Sequence, residues 1–266
     1  MKKYSLIAIA VVLILVGLGA GGYFLLFKDR GEEGPVEPPK QEGKLIETTL
    51  AERPYVSLTP RADGKEFTLA ISRIKNVETI EYELVYLAGD RSSGVIGSID
   101  YKGEESLSRD LLLGTCSRNV CKYDEGVEEG TLTLIFRSEE GVRKFTSDFH
   151  LQQGEDELIS QDGSFSISAN FPASSYYLTM STIGLPAEFD KKVVMGPYGV
   201  FTAGSQTVKA AEVGLSFEAQ TSPVEIYAWP GDDWEMVDDS VVEDNEISAE
   251  TDKLMTFLVS ASEVAE

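Results

Sequence analysis

The chain is poor in the side chains that most often carry catalysis or bind metals, with one histidine and two cysteines among 266 residues. A structural zinc site needs about four such ligands, and a Ser-His-Asp triad needs a histidine beside its nucleophile. The single histidine, His150, lies on the polar side of an alternating segment, so we interpret it as an exposed strand residue. No phosphate-binding loop, nucleophile elbow or zinc-protease motif occurs. We therefore predict that the protein is not an enzyme, and a hydrolase that uses two of its many carboxylates is the alternative.

Basic side chains are also scarce. The chain has 23 Lys and Arg residues against 45 Asp and Glu residues, which gives a formal net charge of −22. Such a surface repels nucleic-acid phosphates and anionic headgroups. Binding to nucleic acid is therefore excluded, whereas attraction of cations is not.

Only one long apolar run is present, from Tyr4 to Phe27, and no charged residue interrupts it. A helix of that length covers a hydrocarbon core of about 30 Å. Because Lys2 and Lys3 precede the run, the positive-inside rule keeps the N-terminus cytoplasmic. We predict a single-pass anchor over residues 1–28, with residues 4–27 in the lipid bilayer of the cell membrane and the bulk of the chain extracytoplasmic. A signal sequence cleaved after its small residues, followed by secretion, is the alternative.

Residues 29–54 are dominated by Pro, Gly and charged residues. Such a composition cannot bury enough apolar surface to fold alone. We predict a flexible Pro/Glu-rich linker between the anchor and the rest of the chain.

Apolar and polar residues alternate along residues 55–153, and this period of two is typical of half-buried antiparallel strands. Gly- and Asp-containing turn signals separate the alternating segments. About seven such strands over roughly 100 residues predict an immunoglobulin-like β-sandwich. The predicted inward residues are Phe67, Leu69 and Ile71; Ile80, Tyr82, Leu84 and Tyr86; Leu132, Leu134 and Phe136; and Phe145, Phe149 and Leu151.

A polar break over residues 152–157 precedes a second alternating series. We place a domain boundary there and predict a second β-sandwich over residues 158–262. The fold class predicted for the whole chain is all-β, with two antiparallel β-sandwich domains after one N-terminal transmembrane helix. The inward residues of the second series are Phe165, Ile167, Ala169 and Phe171; Val213, Leu215, Phe217 and Ala219; Val224, Ile226 and Ala228; and Met255, Phe257 and Val259.

The second series carries a resemblance. A G-P-x-G-x-F turn over residues 196–201, a strand at Val213–Phe217 and the tyrosine/tryptophan segment Val224–Trp234 resemble the ZU5-like β-modules of bacterial surface proteins. The resemblance implies a ZU5-like sandwich that closes with the strand Met255–Val259. The family's usual proline before the middle strand is absent, as are the residues of its autoproteolytic members.

The two cysteines, Cys116 and Cys121, are separated by four residues within one short loop. In an oxidising exterior a local disulfide is the preferred interpretation, and two reduced thiols are the alternative. No metal site is predicted from them, because further thiol or imidazole ligands are lacking.

Acidic residues concentrate near the second tryptophan, and the sharpest group is Asp232, Asp233, Asp238 and Asp239. Converging carboxylates are the ligands that Ca2+ prefers, so these residues are a candidate cation site. The spacing is not that of a calcium loop, and a solvated acidic rim is the preferred interpretation. No other cofactor is expected.

Three aromatic residues, Tyr227, Trp229 and Trp234, flank a turn. Exposed rings on a β-platform stack on sugars or anchor a protein partner. Packing of one tryptophan in the core and of the other over the hairpin is the preferred interpretation, because large aromatic side chains bury a substantial area.

Together these features predict a non-enzymatic, membrane-anchored, extracytoplasmic binding or scaffold protein of the cell envelope. Its partner would be an envelope protein or a glycan. Besides the hydrolase, a structural subunit of a membrane assembly is the remaining alternative.

Overall fold

The strands of the protein are almost all antiparallel, as expected from the alternating sequence. The computed structural model describes residues 43–118, 120–218 and 222–261, so the predicted anchor and the linker as far as residue 42 lie outside the described residues. Within these residues one 3-10 turn (Leu50–Glu52) occurs and no α-helix, so none is long and apolar enough to span a bilayer. The strands are β1 (Tyr55–Pro60), β2 (Glu66–Ser72), β3 (Thr79–Ala88), β4 (Arg91–Asp100), β5 (Ser106–Leu112), β6 (Gly114–Ser117), β7 (Val120–Tyr123), β8 (Val127–Ser138), β9 (Gly141–Gln153), β10 (Glu157–Ile159), β11 (Phe165–Ser168), β12 (Tyr176–Ser181), β13 (Lys192–Phe201), β14 (Thr207–Ser216), β15 (Val224–Trp229), β16 (Glu235–Met236), β17 (Val241–Glu243), β18 (Glu246–Lys253) and β19 (Thr256–Ala261).

One nine-stranded sheet, here called the long sheet, runs through both halves of the chain. Its strand order is β16-β15-β19-β13-β12-β9-β8-β3-β4. The predicted boundary at residues 152–157 falls between β9 and β10, but β12 returns to pair with the end of β9, from Tyr176 opposite Gln153 to Met180 opposite Phe149. The first half (residues 43–153) and the second half (residues 154–261) therefore share a sheet.

The first core lies between β3, β8 and β9 of the long sheet and the three-stranded sheet β1-β2-β5. The inward residues predicted from alternation are buried here except Tyr82, which is partly buried, and Phe67, Leu84 and Phe149 have no exposed surface. Phe67 and Phe149 join the two layers edge to face, with ring centroids 5.2 Å apart. The alternating pattern of the first half is thus confirmed as the inner face of a two-layer sandwich.

The second core lies between β13, β15 and β19 of the long sheet and the five-stranded sheet β10-β11-β14-β18-β17. Adjacent residues of β12 show where this layer lies, because Tyr177 belongs to the second core whereas Leu178 and Met180 belong to the first. Successive side chains of a strand point to opposite faces of its sheet. The two smaller sheets therefore cover opposite faces of the long sheet.

Two predicted strands of the second half end earlier than the alternation suggested. β11 ends at Ser168, and β14 ends at Ser216. Phe171 is still buried because its ring contacts Tyr177, with centroids 4.8 Å apart, and Phe217 is partly buried against the second core. Ala219 of the predicted run lies outside the described residues.

Two further features complete the first half. The hairpin β6–β7 places Cys116 opposite Cys121, with sulfur atoms 1.94 Å apart, at disulfide distance as predicted. The described end of the predicted linker runs parallel to the start of β9, where the Ile46 N–H donates to Val142 O at 2.8 Å. At this end of β9, residues 44–46 thus occupy the side that β12 occupies further along.

Candidate functional site

The three aromatic residues singled out in the sequence lie together at the β15–β16 hairpin. Tyr227 and Trp229 belong to β15, where Ile226 and Ala228 point into the second core. Alternation therefore places both rings on the opposite face of the long sheet. Trp234 follows the turn, and its ring meets that of Trp229 at 5.6 Å and 61°.

A fourth ring completes the cluster and was not predicted. Phe189 comes from the irregular segment between β12 and β13, and its ring lies 5.1 Å from Tyr227 and 5.4 Å from Trp234. With Leu185 and Leu258 these rings form a third apolar cluster, which covers the face of the long sheet opposite the second core. Edge-to-face contacts between the rings contribute to this packing. The rings of Tyr227, Trp229 and Trp234 thus pack in a cluster, in line with the preferred interpretation of these residues.

Three of these rings, those of Phe189, Tyr227 and Trp234, also line an open cavity of about 360 Å3, here called the aromatic pocket. Its lining consists of Glu188, Phe189, Asp190, Lys191, Tyr227, Asp233 and Trp234. The three carboxylates are all exposed, whereas the three rings are partly or fully buried. The pocket therefore combines apolar ring surface with a rim of hydrogen-bond acceptors.

A charged network fixes one wall of the aromatic pocket. The Lys191 ammonium donates to the hydroxyl of Tyr227 and to Glu225 Oε2, the latter at 3.3 Å, and it lies 4.8 Å from the centroid of the Tyr227 ring. The Tyr227 hydroxyl in turn donates to Glu225 Oε2 at 2.9 Å. The bonds to Tyr227 and Glu225 raise the pKa of Lys191. The Tyr227 ring is thereby held in one orientation, with a cation already next to it.

The indole N–H of Trp234, unlike the polar groups of Lys191 and Tyr227, is unpaired within the described part of the chain. Its nitrogen is buried and has no hydrogen-bond partner among the described residues. The backbone N–H of Trp234, by contrast, donates to Asp233 Oδ1 at 2.8 Å. A buried donor without a partner typically costs about 1–3 kcal/mol. Because the nitrogen is buried, it is not one of the groups that the aromatic pocket presents to a ligand.

The four residues of the candidate cation site do not converge. Asp232, Asp233, Asp238 and Asp239 are all exposed, and the Oδ1 atoms of Asp232 and Asp233 accept backbone N–H groups of their own turn. Within residues 43–118, 120–218 and 222–261, no group of three or more His, Cys, Asp or Glu side chains is arranged to hold a metal ion. Calcium binding therefore stays a prediction.

A second concave surface was not predicted at all. A groove of about 620 Å3 lies beside the end of β9, and carboxylates including Asp124, Glu128 and Glu155 line it. His150 is on the face of β9 opposite the first core, as predicted, and its Nδ1 lies 2.9 Å from Ile159 O. The imidazole therefore donates a hydrogen bond to a backbone carbonyl.

No model of a known protein family matches the chain, and no curated protein matches its sequence.

Proposed function

We propose that the protein is a non-enzymatic binding or scaffold protein, anchored in the cell membrane by residues 4–27 and displayed on its outer side. The observation that carries the binding function is the aromatic pocket, where apolar rings and exposed carboxylates meet. The charge-free run after Lys2 and Lys3 supports the location. Protease added to intact spheroplasts tests it, because residues beyond the anchor should be digested.

The proposed ligand is a neutral or N-acetylated glycan. Sugar rings present C–H faces that stack on aromatic rings, and their hydroxyl groups donate to carboxylates. An acidic glycan is disfavoured by the carboxylate rim and the net charge of −22.

The finer fold assignment belongs to the same proposal. In the first half, β1-β2-β5 oppose β4-β3-β8-β9, which supports an immunoglobulin-like sandwich of seven strands. In the second half, the G-P-x-G-x-F motif lies in β13 beside a shift in its register with β19, and the aromatic hairpin precedes the final strand. This order supports the ZU5-like assignment.

Intrinsic fluorescence gives a direct test, because both tryptophans of the chain belong to the aromatic cluster. The detergent-solubilised full chain is titrated with oligosaccharides of neutral hexoses, N-acetylated amino sugars and uronic acids. We expect a saturable change with the first two classes and none with uronic acids. Phe189→Ala, which keeps both reporters, should weaken binding at least tenfold, since one stacking surface is lost.

The matched control is Tyr101→Ala, which removes a partly buried ring from the first half. It should bind like the unmodified chain. A panel without any saturable change, or equal affinity of Phe189→Ala and the unmodified chain, would refute glycan binding at the pocket.

The acidic groove keeps the hydrolase as a second candidate, because several carboxylates line one cavity there. Chromatography of the same oligosaccharides after incubation separates the two functions. New, shorter products that disappear in Glu128→Gln would favour the hydrolase over the binding protein.

A further inference from the structure

Strand β4 forms one end of the long sheet, and its outer side has no strand partner among the described residues. It pairs with β3 over ten residues without a register shift. The other end of the long sheet, β16, has two residues, and the edges β10 and β17 of the five-stranded sheet have three each. Proteins usually protect long edges with charged side chains, Pro or a bulge. β4 has no Pro and no bulge, and its two charged residues, Arg91 and Asp100, lie at its ends.

The β3–β4 hairpin determines which backbone groups of β4 point outward. Gly89 has a φ of 58° and occupies the first position of a two-residue turn, so the closing pair Ala88–Arg91 is hydrogen-bonded. At the far end the Tyr101 N–H donates to Glu78 O at 2.8 Å, in the same alternation. Odd-numbered residues of β4 therefore bond to β3. The outward N–H and C=O groups belong to Ser92, Gly94, Ile96, Ser98 and Asp100.

The outward residues are also the exposed ones. Ile96 is 77% exposed, the most exposed large apolar side chain of the described residues. Gly94, Ser98 and Asp100 on the same face are exposed too, whereas Val95 and Ile99 on the other face pack against the first core. An exposed isoleucine at the middle of a bare edge combines apolar surface with about ten unpaired backbone groups.

The edge is complementary to itself. When a second copy is placed antiparallel with a two-fold axis at Ile96, all five outward residues meet outward residues of the copy. Ile96 then opposes Ile96, Gly94 opposes Ser98, and Ser92 opposes Asp100. In this register the hydroxyl of Ser92 donates to the carboxylate of Asp100, and no like charges are opposed. Side chains stay on the correct faces, because directly opposed residues of antiparallel strands share a face.

We propose that two copies of the chain pair through β4, so that the long sheet continues from one copy into the other. The pairing forms about ten backbone hydrogen bonds and covers Ile96 with its counterpart. Each chain carries a net charge of −22, so repulsion between the copies opposes association and salt screens it. Association should therefore become stronger as ionic strength rises.

Crosslinking of the full chain in membranes tests the register. At a hydrogen-bonded pair the Cα atoms of the two Ile96→Cys residues would lie about 5.5 Å apart, within reach of a disulfide. We expect a dimer band under oxidising, non-reducing conditions. The control is Glu83→Cys, which is exposed and opposite Ile96 on β3. Its two copies would be about 14 Å apart across three strand spacings, beyond disulfide reach.

A second measurement uses variants without added cysteine. Ser98→Pro removes an outward donor but no bond to β3, and Ile96→Lys opposes two like charges at the axis. Sedimentation in detergent should show dimers of the unmodified chain, with at least tenfold weaker association of both variants and unchanged melting temperatures. A monomeric unmodified chain, association unaffected by both variants, or equal crosslinking at positions 83 and 96 would overturn the proposal.

Discussion

The two halves of the molecule differ in how regularly their strands pair. In the first half the strands β3, β8 and β9 pair in long ladders, with one register shift between β3 and β8. In the second half the ladders of β13 with β19 and of β14 with β18 both shift register, and Ala210 within β14 has a φ of 48°. In the first half the outermost strand β4 leaves a straight edge. In the second half Phe189 reaches the aromatic pocket from the irregular segment between β12 and β13.

The halves are nevertheless joined at several points. The Val56 N–H of β1 donates to Thr182 O at 3.0 Å, and Arg73 donates to Leu185 O at 3.0 Å. The Tyr55 hydroxyl lies 3.1 Å from Thr256 Oγ1 of the last strand. These contacts connect the first half with the second, and the first core also takes Leu178, Met180 and Ile183 from the second half.

The largest expected effect tests whether the halves unfold together. Phe67 in the first core and Phe257 in the second have no exposed surface. Replacing either with alanine leaves a cavity and should cost about 3–5 kcal/mol. Because the cores share the long sheet, denaturant melts followed by circular dichroism should show one transition that both variants shift.

Tryptophan fluorescence supplies the control, since both tryptophans lie in the second half. The fluorescence and circular dichroism transitions should coincide in the unmodified chain and in both variants. A Phe67→Ala chain whose fluorescence transition is unmoved would show that the second half unfolds by itself.

The sequence predicted the first half better than the second for a physical reason. A strand with one buried face shows alternation, and the runs around Phe67, Leu134 and Phe149 are such strands. β12 was missed because it is buried on both faces, with Tyr177 in one core and Leu178 in the other. β4 was missed because Val95 and Ile99 are the only large apolar residues of its inward face, where Ser93 and Gly97 break the alternating pattern.

The candidate site was predicted in part. Tyr227, Trp229 and Trp234 are close in sequence, so their proximity follows from one hairpin. Phe189 is brought to them by an irregular segment, and no periodic pattern marks a residue that reaches a site through a loop. The shared sheet was also hidden, because polar residues 152–157 resemble a boundary, whereas the pairing of β9 with β12 depends on residues further along the chain.

A destabilisation of intermediate size is expected for a hydrogen bond whose strength depends on pH. Each half has a tyrosine that donates to a carboxylate: Tyr86 to Asp124 at 3.0 Å, and Tyr198 to Asp162 at 2.5 Å. Burial works against the charge of Asp162, but hydrogen bonds from Ser160, Tyr198 and a backbone N–H outweigh it and lower the pKa of Asp162. Loss of a hydrogen bond to a charged group typically costs about 1.5–3 kcal/mol, so Tyr198→Phe should be destabilised by about 2 kcal/mol.

The sign of the pH dependence follows from the lowered pKa. The stabilisation by Asp162 is complete above the unfolded value of about 4 and is lost as pH falls through the native value. Melting temperatures between pH 7 and 2.5 should therefore fall less steeply for Asp162→Asn than for the unmodified chain. Burial and the neighbouring carboxylate raise the pKa of Tyr198. The stabilisation by its hydroxyl is therefore complete below the unfolded value of about 10 and is lost as the pH rises through the native value. Parallel acid profiles of Asp162→Asn and the unmodified chain would contradict this assignment.

The smallest effects test the strand register at the irregular end of β14. Phe217 follows the strand, is partly buried against the second core and donates its N–H to Asn245 O at 2.9 Å. Since less surface is lost than at Phe257, Phe217→Ala should cost about 1–2 kcal/mol. The neighbouring Glu218 is exposed, and Glu218→Ala should change the free energy of unfolding by about 0.5 kcal/mol or less. Denaturant melts of the three variants should therefore rank Phe257 above Phe217 and Phe217 above Glu218. A reversed order of Phe217 and Glu218 would mean that the chain leaves β14 on the other face, and the second core would then lack its outermost ring.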